Sequence, residues 1–183
     1  MTSETLLDAP PSNNLRNAVT ANDFRQAMSR LSAAVTIVTT DGPLGPHGMT
    51  ASAVCSVTDT PATVLVCVNR STRSHDVLRE HGTLAINILG HEHQDIAMLF
   101  ASSRKTMEER FASGSWHRAH NHAPVLADAI TTLVCSINNM HEIGTHSVLY
   151  CTVENIMDSN QIGAGLAWFD RNFHVLPPYQ NAE

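Results

Sequence analysis

The chain has 183 residues, of which 43% are hydrophobic and 15% charged, a composition typical of a globular protein rather than a disordered one. Its formal net charge of -6 at pH 7, with only 11 Lys and Arg, argues against nucleic acid as a partner. No apolar run approaches the ~20 residues that cross a bilayer and no signal peptide is visible, so we expect a cytoplasmic protein without membrane contact.

The sequence predicts a single domain between two tails. Residues 1–20 contain adjacent Pro10 and Pro11 and no hydrophobic periodicity, which predicts a flexible N-terminal tail. The domain is expected over residues 21–176, and residues 177–183 form the expected C-terminal tail.

A helix and a strand open the predicted domain. The helix is expected to begin at its N-cap Asn22, because apolar residues recur at spacings of three and four from Phe24 to Leu31. The next run, Ala34–Thr40, is rich in Val, Ile and Thr and therefore predicts a strand.

The segment Met49–Asn69 carries the strongest functional signal. It predicts two strands around a Pro-containing turn, and the first strand opens with small residues only. These are Thr50, Ala51, Ser52 and Ala53. A strand without bulky side chains allows a flat aromatic ligand to lie against its backbone. An ordinary sheet strand remains the alternative interpretation.

A hydroxyl-rich loop follows the second of these strands. Residues 70–74 carry two Arg side chains and three hydroxyl groups, which are the groups that bind phosphate. Ser74 is the expected N-cap of a helix that ends at Gly82. A planar ring next to a phosphate is the outline of a flavin nucleotide, with a solvated polar loop as the alternative.

The rest of the chain predicts more strands than helices. The further strands are expected at Leu84–Leu89, Ile130–Asn138, His146–Met157, Leu166–Phe169 and Arg171–Val175. A helix is expected at Gln94–Ala101, and Thr106–Glu109 has the pattern of a capping box. Because strands follow one another without regular βαβ spacing, we predict a mainly β fold with short helices, an antiparallel barrel.

Cysteines and histidines do not form an evident metal-binding pattern. The four cysteines are far apart and include no Cys-x-x-Cys pair, so we interpret them as free, buried thiols. Five of the eleven histidines form two local groups. They are His91, His93, His117, His120 and His122. No Cys or carboxylate completes a ligand set, so we expect mostly surface imidazoles, and the sequence gives no support for a metal site.

Five blocks of sequence together resemble a known family. They are Leu31–Thr40, Thr50–Asp59, Cys67–Asn69, Glu108–Phe111 and Ile143–His146. In this order and spacing they resemble the short-chain flavin reductases, most of all the reductase components of 4-hydroxyphenylacetate 3-monooxygenases. The resemblance covers residues 24–175 and implies an FMN-binding split β-barrel of Greek-key type, usually a homodimer.

The resemblance also implies an activity. Such enzymes reduce FAD or FMN with NADH and release the reduced flavin to a partner monooxygenase. We therefore expect an NADH-dependent reductase of FAD, or alternatively of FMN, that serves an aromatic-hydroxylating oxygenase in aromatic hydrocarbon catabolism. The alternatives are a flavin- or haem-binding module without turnover, and pyridoxamine-phosphate-oxidase-like chemistry, for which the chain lacks a basic phosphate cluster.

The resemblance assigns candidate flavin contacts along the chain. The small-residue strand would face the isoalloxazine ring, and the hydroxyl-rich loop would bind the ribityl chain and phosphate. Backbone N–H donors aimed at the ring would stabilise the negative charge that reduction creates. The candidate flavin-binding residues are Thr50, Ala51, Ser52, Ala53, Ser56, Val57, Asn69, Ser71, Ser74, Lys105, Arg110 and Phe111.

A second group of candidates belongs to the nicotinamide side. His146 ends a Gly-Thr-His element, and Thr145 stands where many family members carry Asp. We therefore expect His146 to position NADH rather than to act as a committed proton donor, with a strand-end histidine held by the turn as the alternative. Arg171 and Phe173 are the other candidates. No Gly-x-Gly-x-x-Gly segment follows a strand, so NADH is not expected to bind a Rossmann fold.

Overall fold

The computed structural model of the chain describes residues 19–159 and 163–178. Most of the two expected tails, residues 1–18 and 179–183, lies outside the described residues. Within the described ranges, no helix is both long and apolar enough to cross a membrane.

Four α-helices lie in the described part of the chain. They are α1 (Ala21–Met28), α2 (Arg73–His81), α3 (Gln94–Ala101) and α4 (Met107–Phe111). Helix α3 has the predicted bounds and follows a short 3₁₀ helix, His91–His93. The predicted capping box of α4 is confirmed, because Thr106 Oγ1 accepts from Glu109 N–H at 3.1 Å and Glu109 Oε2 accepts from Thr106 N–H at 2.8 Å.

The predicted N-caps of α1 and α2 were wrong by two residues each. Thr20, not Asn22, caps α1, because Thr20 and Asp23 form a complete capping box. Thr72 is the N-cap of α2, which places Ser74 inside the first helical turn. Gly82 closes α2 as predicted, with a left-handed φ of 69°.

Twelve strands lie in the described residues. They are β1 (Ala33–Ala34), β2 (Thr36–Thr40), β3 (His47–Ala51), β4 (Val54–Asp59), β5 (Ala62–Asn69), β6 (Thr83–Ile88), β7 (Trp116–Arg118), β8 (Pro124–Leu126), β9 (Thr131–Ile143), β10 (His146–Asp158), β11 (Gly165–Phe169) and β12 (Asn172–Leu176). The run predicted as one strand at Ala34–Thr40 is divided, because β1 pairs with β11 whereas β2 pairs with β3 and β6.

Seven strands form one antiparallel sheet in the order β3-β2-β6-β9-β10-β5-β4. Its two edge strands, β3 and β4, are consecutive in the chain and are separated by Ser52 and Ala53 alone. Since the Cα atoms of Ala51 and Val54 can be no more than about 11 Å apart, the sheet must curl until its two edges meet at this end. The N–H of Cys67 in β5 donates to the C=O of Ala53 at 3.0 Å and fixes the link.

The prediction of a mainly β, antiparallel fold with short helices is confirmed. The predicted barrel is present only in part, because β3 and β4 are not paired with each other in the described residues and the seven-stranded sheet stays open. Two smaller sheets accompany it, β1-β11-β12 and β7-β8.

Strand β5 shows how burial divides its two faces. Val64, Val66 and Val68 point into the hydrophobic core, and each such side chain contributes about 1.5–3 kcal/mol through burial. The alternate positions, Cys67 and Asn69, are only partly buried and lie on the opposite face. This alternation brings polar and small side chains of β5 to the end of the sheet where its edges meet.

The prediction that all four cysteines are free is confirmed, but the prediction that all are buried is not. All four are free, and Cys135 and Cys151 are buried. Burial raises the pKa of both thiols to about 12. Cys55 is exposed, because it lies on the edge strand β4. Among the grouped histidines, four are exposed and only His93, at the start of α3, is buried, which agrees with the expectation of mostly surface imidazoles.

Candidate functional site

A cleft of about 650 Å³ opens beside the link between β3 and β4, and we call it the main cleft. Side chains from β3 and the link, from the end of β5 and the start of α2, and from the region between α3 and α4 line it. Eight of the twelve predicted flavin contacts are among them. These are Thr50, Ala51, Ser52, Ala53, Asn69, Ser71, Ser74 and Arg110.

The small-residue segment forms an open wall of the main cleft. Ser52 and Ala53 are exposed, and Ala51 is 8% exposed. Because β3 is an edge strand, part of its backbone N–H and C=O groups face the gap without a strand partner. Thr50 Oγ1 donates to the C=O of Ala97 in α3 at 2.5 Å, so the proton of this hydroxyl is not available to a ligand. The wall therefore offers backbone groups to a ligand rather than this hydroxyl.

The loop after β5 is ordered by its own side chains. Asn69 Oδ1 accepts from both the N–H and the hydroxyl of Ser71, each at 2.9 Å. Thr72 Oγ1 donates to the backbone C=O of Asn69 at 2.8 Å. This is the local hydrogen bonding that Asn provides in turns. The side-chain amide N–H₂ of Asn69 remains as the donor of that side chain.

Ser74 and His47 meet at the start of α2. Ser74 lies in the first turn of that helix, where aligned peptide dipoles favour an anion. Its Oγ is 3.0 Å from Nε2 of His47, the first residue of β3, and both side chains line the main cleft. Sequence reasoning missed His47 because Gly45–Gly48 has the composition of a turn and the strand was predicted to start at Met49.

The main cleft is electropositive in an acidic chain. Arg73 and Arg110 line it, and among the described residues no Asp or Glu does. Burial, followed by the positive charges of Arg110 and Arg73, lowers the pKa of His47 to about 4. The imidazole is therefore neutral at pH 7, and the two guanidinium groups give the cleft the charge that an anionic ligand requires.

Arg110 joins three parts of the cleft wall. Its Nη1 donates to the C=O of Gly48 at 2.9 Å and to that of Phe100 at 3.1 Å, while Nη2 donates to the C=O of Ser102 at 2.6 Å. The side chain is 8% exposed, so its donors are used mainly by the protein itself. Arg110 thus ties β3 to the end of α3 and contributes charge to the cleft.

Four predicted flavin contacts do not line the main cleft. Lys105 is exposed and pairs with Glu109 at 2.9 Å, one helical turn away on the α4 side. Phe111 packs edge-on against Phe100 in the core, with ring centroids 5.2 Å apart. Ser56 and Val57 are exposed on β4, and no residue of that strand lines the main cleft. Flavin contacts from these four residues stay predictions that the main cleft of a single chain does not support.

A second cleft, which we call the side cleft, adjoins the main cleft. It measures about 640 Å³ and shares Thr50, Ser52 and Ala101 with the main cleft. The predicted nicotinamide residues Arg171 and Phe173 line it. Trp168, which sequence reasoning did not single out, lines it too and packs edge-on against Phe173 with ring centroids 4.9 Å apart.

The third nicotinamide candidate, His146, lines neither of the two clefts. It is the first residue of β10 and stands opposite Asn69 of β5. Its side chain is exposed, and its Nδ1 lies 2.9 Å from the hydroxyl of the neighbouring Thr145. His146 lines neither the main nor the side cleft, so a single chain does not bring it to Arg171 and Phe173.

Residues 28–177 match the family model described as flavin reductase like domain. The chain belongs to this family. It is 48% identical over 159 residues to a protein named FMN reductase (NADH) RutF 1 from Methylorubrum extorquens, a match that covers 87% of this chain and 78% of that one. Membership confirms the resemblance to flavin reductases and the expectation of an oxidoreductase enzyme.

Two solved structures resemble this flavin reductase over nearly their whole length. BorF, the flavin reductase component of a bacterial two-component tryptophan halogenase, has a TM-score of 0.81 at 26% identity and covers 87% of this chain and 100% of its own. The NADH:FAD oxidoreductase SgcE6 of Streptomyces globisporus was solved with NAD and FAD fragments. It has a TM-score of 0.81 at 26% identity, and the match covers 93% of this chain and 100% of that one. The particular closeness to 4-hydroxyphenylacetate-type reductases stays a prediction.

Proposed function

We propose that this flavin reductase oxidises NADH and reduces a flavin nucleotide bound in the main cleft. The isoalloxazine ring would lie along the segment Thr50–Ala53, and the phosphate would lie at the start of α2. One observation carries the proposal: a single cleft combines an edge strand of small residues with a hydroxyl-rich loop and two guanidinium groups.

The small-residue wall supports the placement of the ring. Ser52 and Ala53 project no side chain large enough to keep a planar ring from the backbone. A reduced flavin carries negative charge along its N1 and C2-carbonyl edge. Backbone N–H donors of an edge strand can stabilise that charge, and they do so most strongly where water is excluded.

The loop and the start of α2 support the placement of the phosphate. Ser74 offers a hydroxyl group, the amide of Asn69, whose Oδ1 accepts from Ser71, offers a further donor, and Arg73 adds a positive charge. Each of these groups suits a phosphate oxygen. The ribityl chain would connect this end of the cleft to the ring.

The side cleft supports the placement of NADH. Because it shares Thr50 and Ser52 with the main cleft, a nicotinamide in it would lie next to the flavin ring. Hydride transfer needs the two rings stacked at about 3–3.5 Å, and Arg171 and Phe173 would hold NADH there. His146 could join them from a second copy in the homodimer that the resemblance implies, and we retain it on that basis.

The choice of flavin follows the stronger similarity. We place FMN before FAD, which reverses the order expected from the sequence, because the 48%-identical relative is named an FMN reductase. SgcE6, at 26% identity, is named an NADH:FAD oxidoreductase, which supports FAD as a second substrate.

The reduced flavin would then leave for a partner enzyme. BorF is the reductase component of a two-component system, and the resemblance in sequence is to reductases of two-component monooxygenases. We therefore propose a cytoplasmic reductase that releases reduced flavin to an oxygenase acting on an aromatic compound.

Steady-state NADH oxidation tests the proposal. Purified protein is given NADH or NADPH with FMN or FAD, in all four combinations, and the loss of reduced nicotinamide is followed. We expect oxidation that requires added flavin and is fastest with NADH and FMN. Binding of flavin without any consumption of NADH or NADPH would contradict a reductase and favour the non-catalytic binding module.

A further inference from the structure

Two polar side chains from distant parts of the chain meet in the wall of the main cleft. His47 opens β3, and Ser74 lies in the first turn of α2. Each residue is 7% exposed, and Nε2 of His47 is 3.0 Å from Oγ of Ser74. At this distance and burial the two groups share one hydrogen bond. His47 therefore controls how the Ser74 hydroxyl is oriented.

The direction of that hydrogen bond decides what Ser74 offers to a ligand. A neutral imidazole has one N–H, so Nε2 either accepts the Ser74 proton or donates its own. If Nε2 accepts, the only proton of Ser74 is used, and the hydroxyl presents lone pairs to the cleft. If Nε2 donates, Ser74 keeps its proton for a ligand oxygen.

The surroundings favour the second arrangement when an anion is bound. Arg73 and Arg110 line the cleft beside His47, and His81 is a further nearby titratable group. An anion attracted by these charges needs hydrogen-bond donors, and lone pairs of Ser74 would repel it. The cleft is therefore complementary to a bound anion only when His47 donates to Ser74 Oγ and the O–H of Ser74 donates to the anion.

We propose that His47 is a positioning residue for the phosphate of the flavin nucleotide. Its Nε2–H donates to Ser74 Oγ, and this directs the O–H of Ser74 to a phosphate oxygen. The inference rests on the proposed function, because the phosphate belongs to the proposed substrate. His47 acts through Ser74 and need not contact the flavin.

Comparison of FMN with riboflavin, which lacks the phosphate, tests the inference. Flavin KM and kcat are measured with NADH for the wild type, His47→Ala, Ser74→Ala and the double variant. In His47→Ala the ratio of the KM for FMN to the KM for riboflavin should rise about threefold to tenfold, the effect of one hydrogen bond. The double variant should have the ratio of Ser74→Ala alone, because without Ser74 the imidazole has nothing to orient.

Two further variants separate positioning from folding. His47→Gln places an amide N–H₂ near the former Nε2 and should restore most of the wild-type ratio. His47→Met keeps a side chain of similar volume without a hydrogen-bond donor, so it should behave like His47→Ala. If His47→Ala does not fold, His47→Met is measured in its place.

Each remaining outcome counts against a stated claim. An equal change in KM for FMN and riboflavin, or multiplying effects in the double variant, would overturn the role of His47 and leave the reductase intact. If the wild type oxidises NADH with neither flavin, the proposed function fails, and this inference fails with it.

Discussion

The main cleft and the tip of the β9–β10 hairpin hold their polar groups in different ways. In the cleft wall, Thr50 donates to α3, Ser74 meets His47 of β3, and Arg110 donates to three carbonyl groups. Each of these contacts joins separate elements of the fold. At the hairpin tip, His146 contacts its neighbour Thr145, and its side chain is exposed.

This difference separates side chains that one chain positions by itself from a side chain whose proposed role requires a second copy of the protein. Side chains fixed by several elements are ordered before a ligand arrives, so binding costs less conformational entropy. Arg70 binds the hairpin tip through Glu142 at 2.7 Å and the C=O of Gly144 at 3.2 Å, but within the described residues the side chain of His146 has no hydrogen bond to another element. In the proposed reaction, the cleft side chains Thr50, Ser74 and Arg110 are therefore positioned by contacts within one chain, whereas the proposed role for His146 depends on a partner copy.

The largest expected effect is on stability and comes from Arg110, which connects β3 to the end of α3 in the cleft wall. Arg110→Ala leaves three backbone carbonyl groups without their donor and should lower the free energy of unfolding by about 3 kcal/mol or more. Lys105→Ala, which removes only an exposed pair with Glu109, should cost less than about 1 kcal/mol. Urea denaturation of both variants checks this contrast. Equal losses of unfolding free energy would mean that Arg110 does not stabilise the connection between β3 and α3.

The second effect is a pH dependence of stability that arises from His47. Its pKa is lowered from 6.5 to about 4 in the folded state, so below pH 6.5 the unfolded chain binds a proton that the folded chain does not. Stability should therefore fall as the pH drops from 6.5 to 4, by up to about 3 kcal/mol.

Urea denaturation at a series of pH values tests this dependence. His47→Gln should lose less stability than the wild type over that interval. His117→Gln, at an exposed histidine, is the matched control and should follow the wild type. Parallel curves for His47→Gln and the wild type would contradict the shift.

The third effect concerns the open wall of the cleft. Ala53→Leu fills the space proposed for the flavin ring and should raise the flavin KM about tenfold, which corresponds to about 1.4 kcal/mol. Val57→Leu changes an exposed residue outside the cleft and should keep the wild-type KM. A folded Ala53→Leu variant with normal flavin kinetics would remove this segment from the site.

The fourth effect is smaller and concerns the KM for NADH. Phe173→Ala removes an aromatic ring from the side cleft and its contact with Trp168, so the KM for NADH should rise about fivefold while the flavin KM changes less. Phe169→Ala, on the same small sheet but outside the side cleft, is the control. The same change in both variants would indicate loss of general packing rather than loss of a binding surface.

The smallest effect tests the hairpin tip. If a second copy brings His146 to the side cleft, His146→Ala should raise the KM for NADH about threefold, the size of one hydrogen bond. His141→Ala, exposed on the same hairpin, should have no such effect. Sedimentation of the wild type accompanies this test, because a monomer with unchanged kinetics in His146→Ala would leave His146 without a role.

Local signals made much of the fold predictable. The apolar spacing in α3 and the capping box of α4 act within a few residues, so both were predicted with their observed positions. Most strands were predicted from β-branched runs and turn residues in the same way, but β7 and β8 were not predicted. Their division failed at Val35, where the choice of pairing partner, and not composition, separates β1 from β2.

By itself, the sequence determined the local chemistry of two segments that we propose to bind flavin: the small residues of Thr50–Ala53 and the hydroxyl groups of Ser71–Ser74 need no fold. Only the tertiary structure decided which side chains share the cleft. It paired His47 with Ser74, used Arg110 for carbonyl groups of the wall, and placed His146 away from Arg171. The reason is that strand order and sheet curvature bring together residues far apart in the chain, and no local pattern encodes those distances.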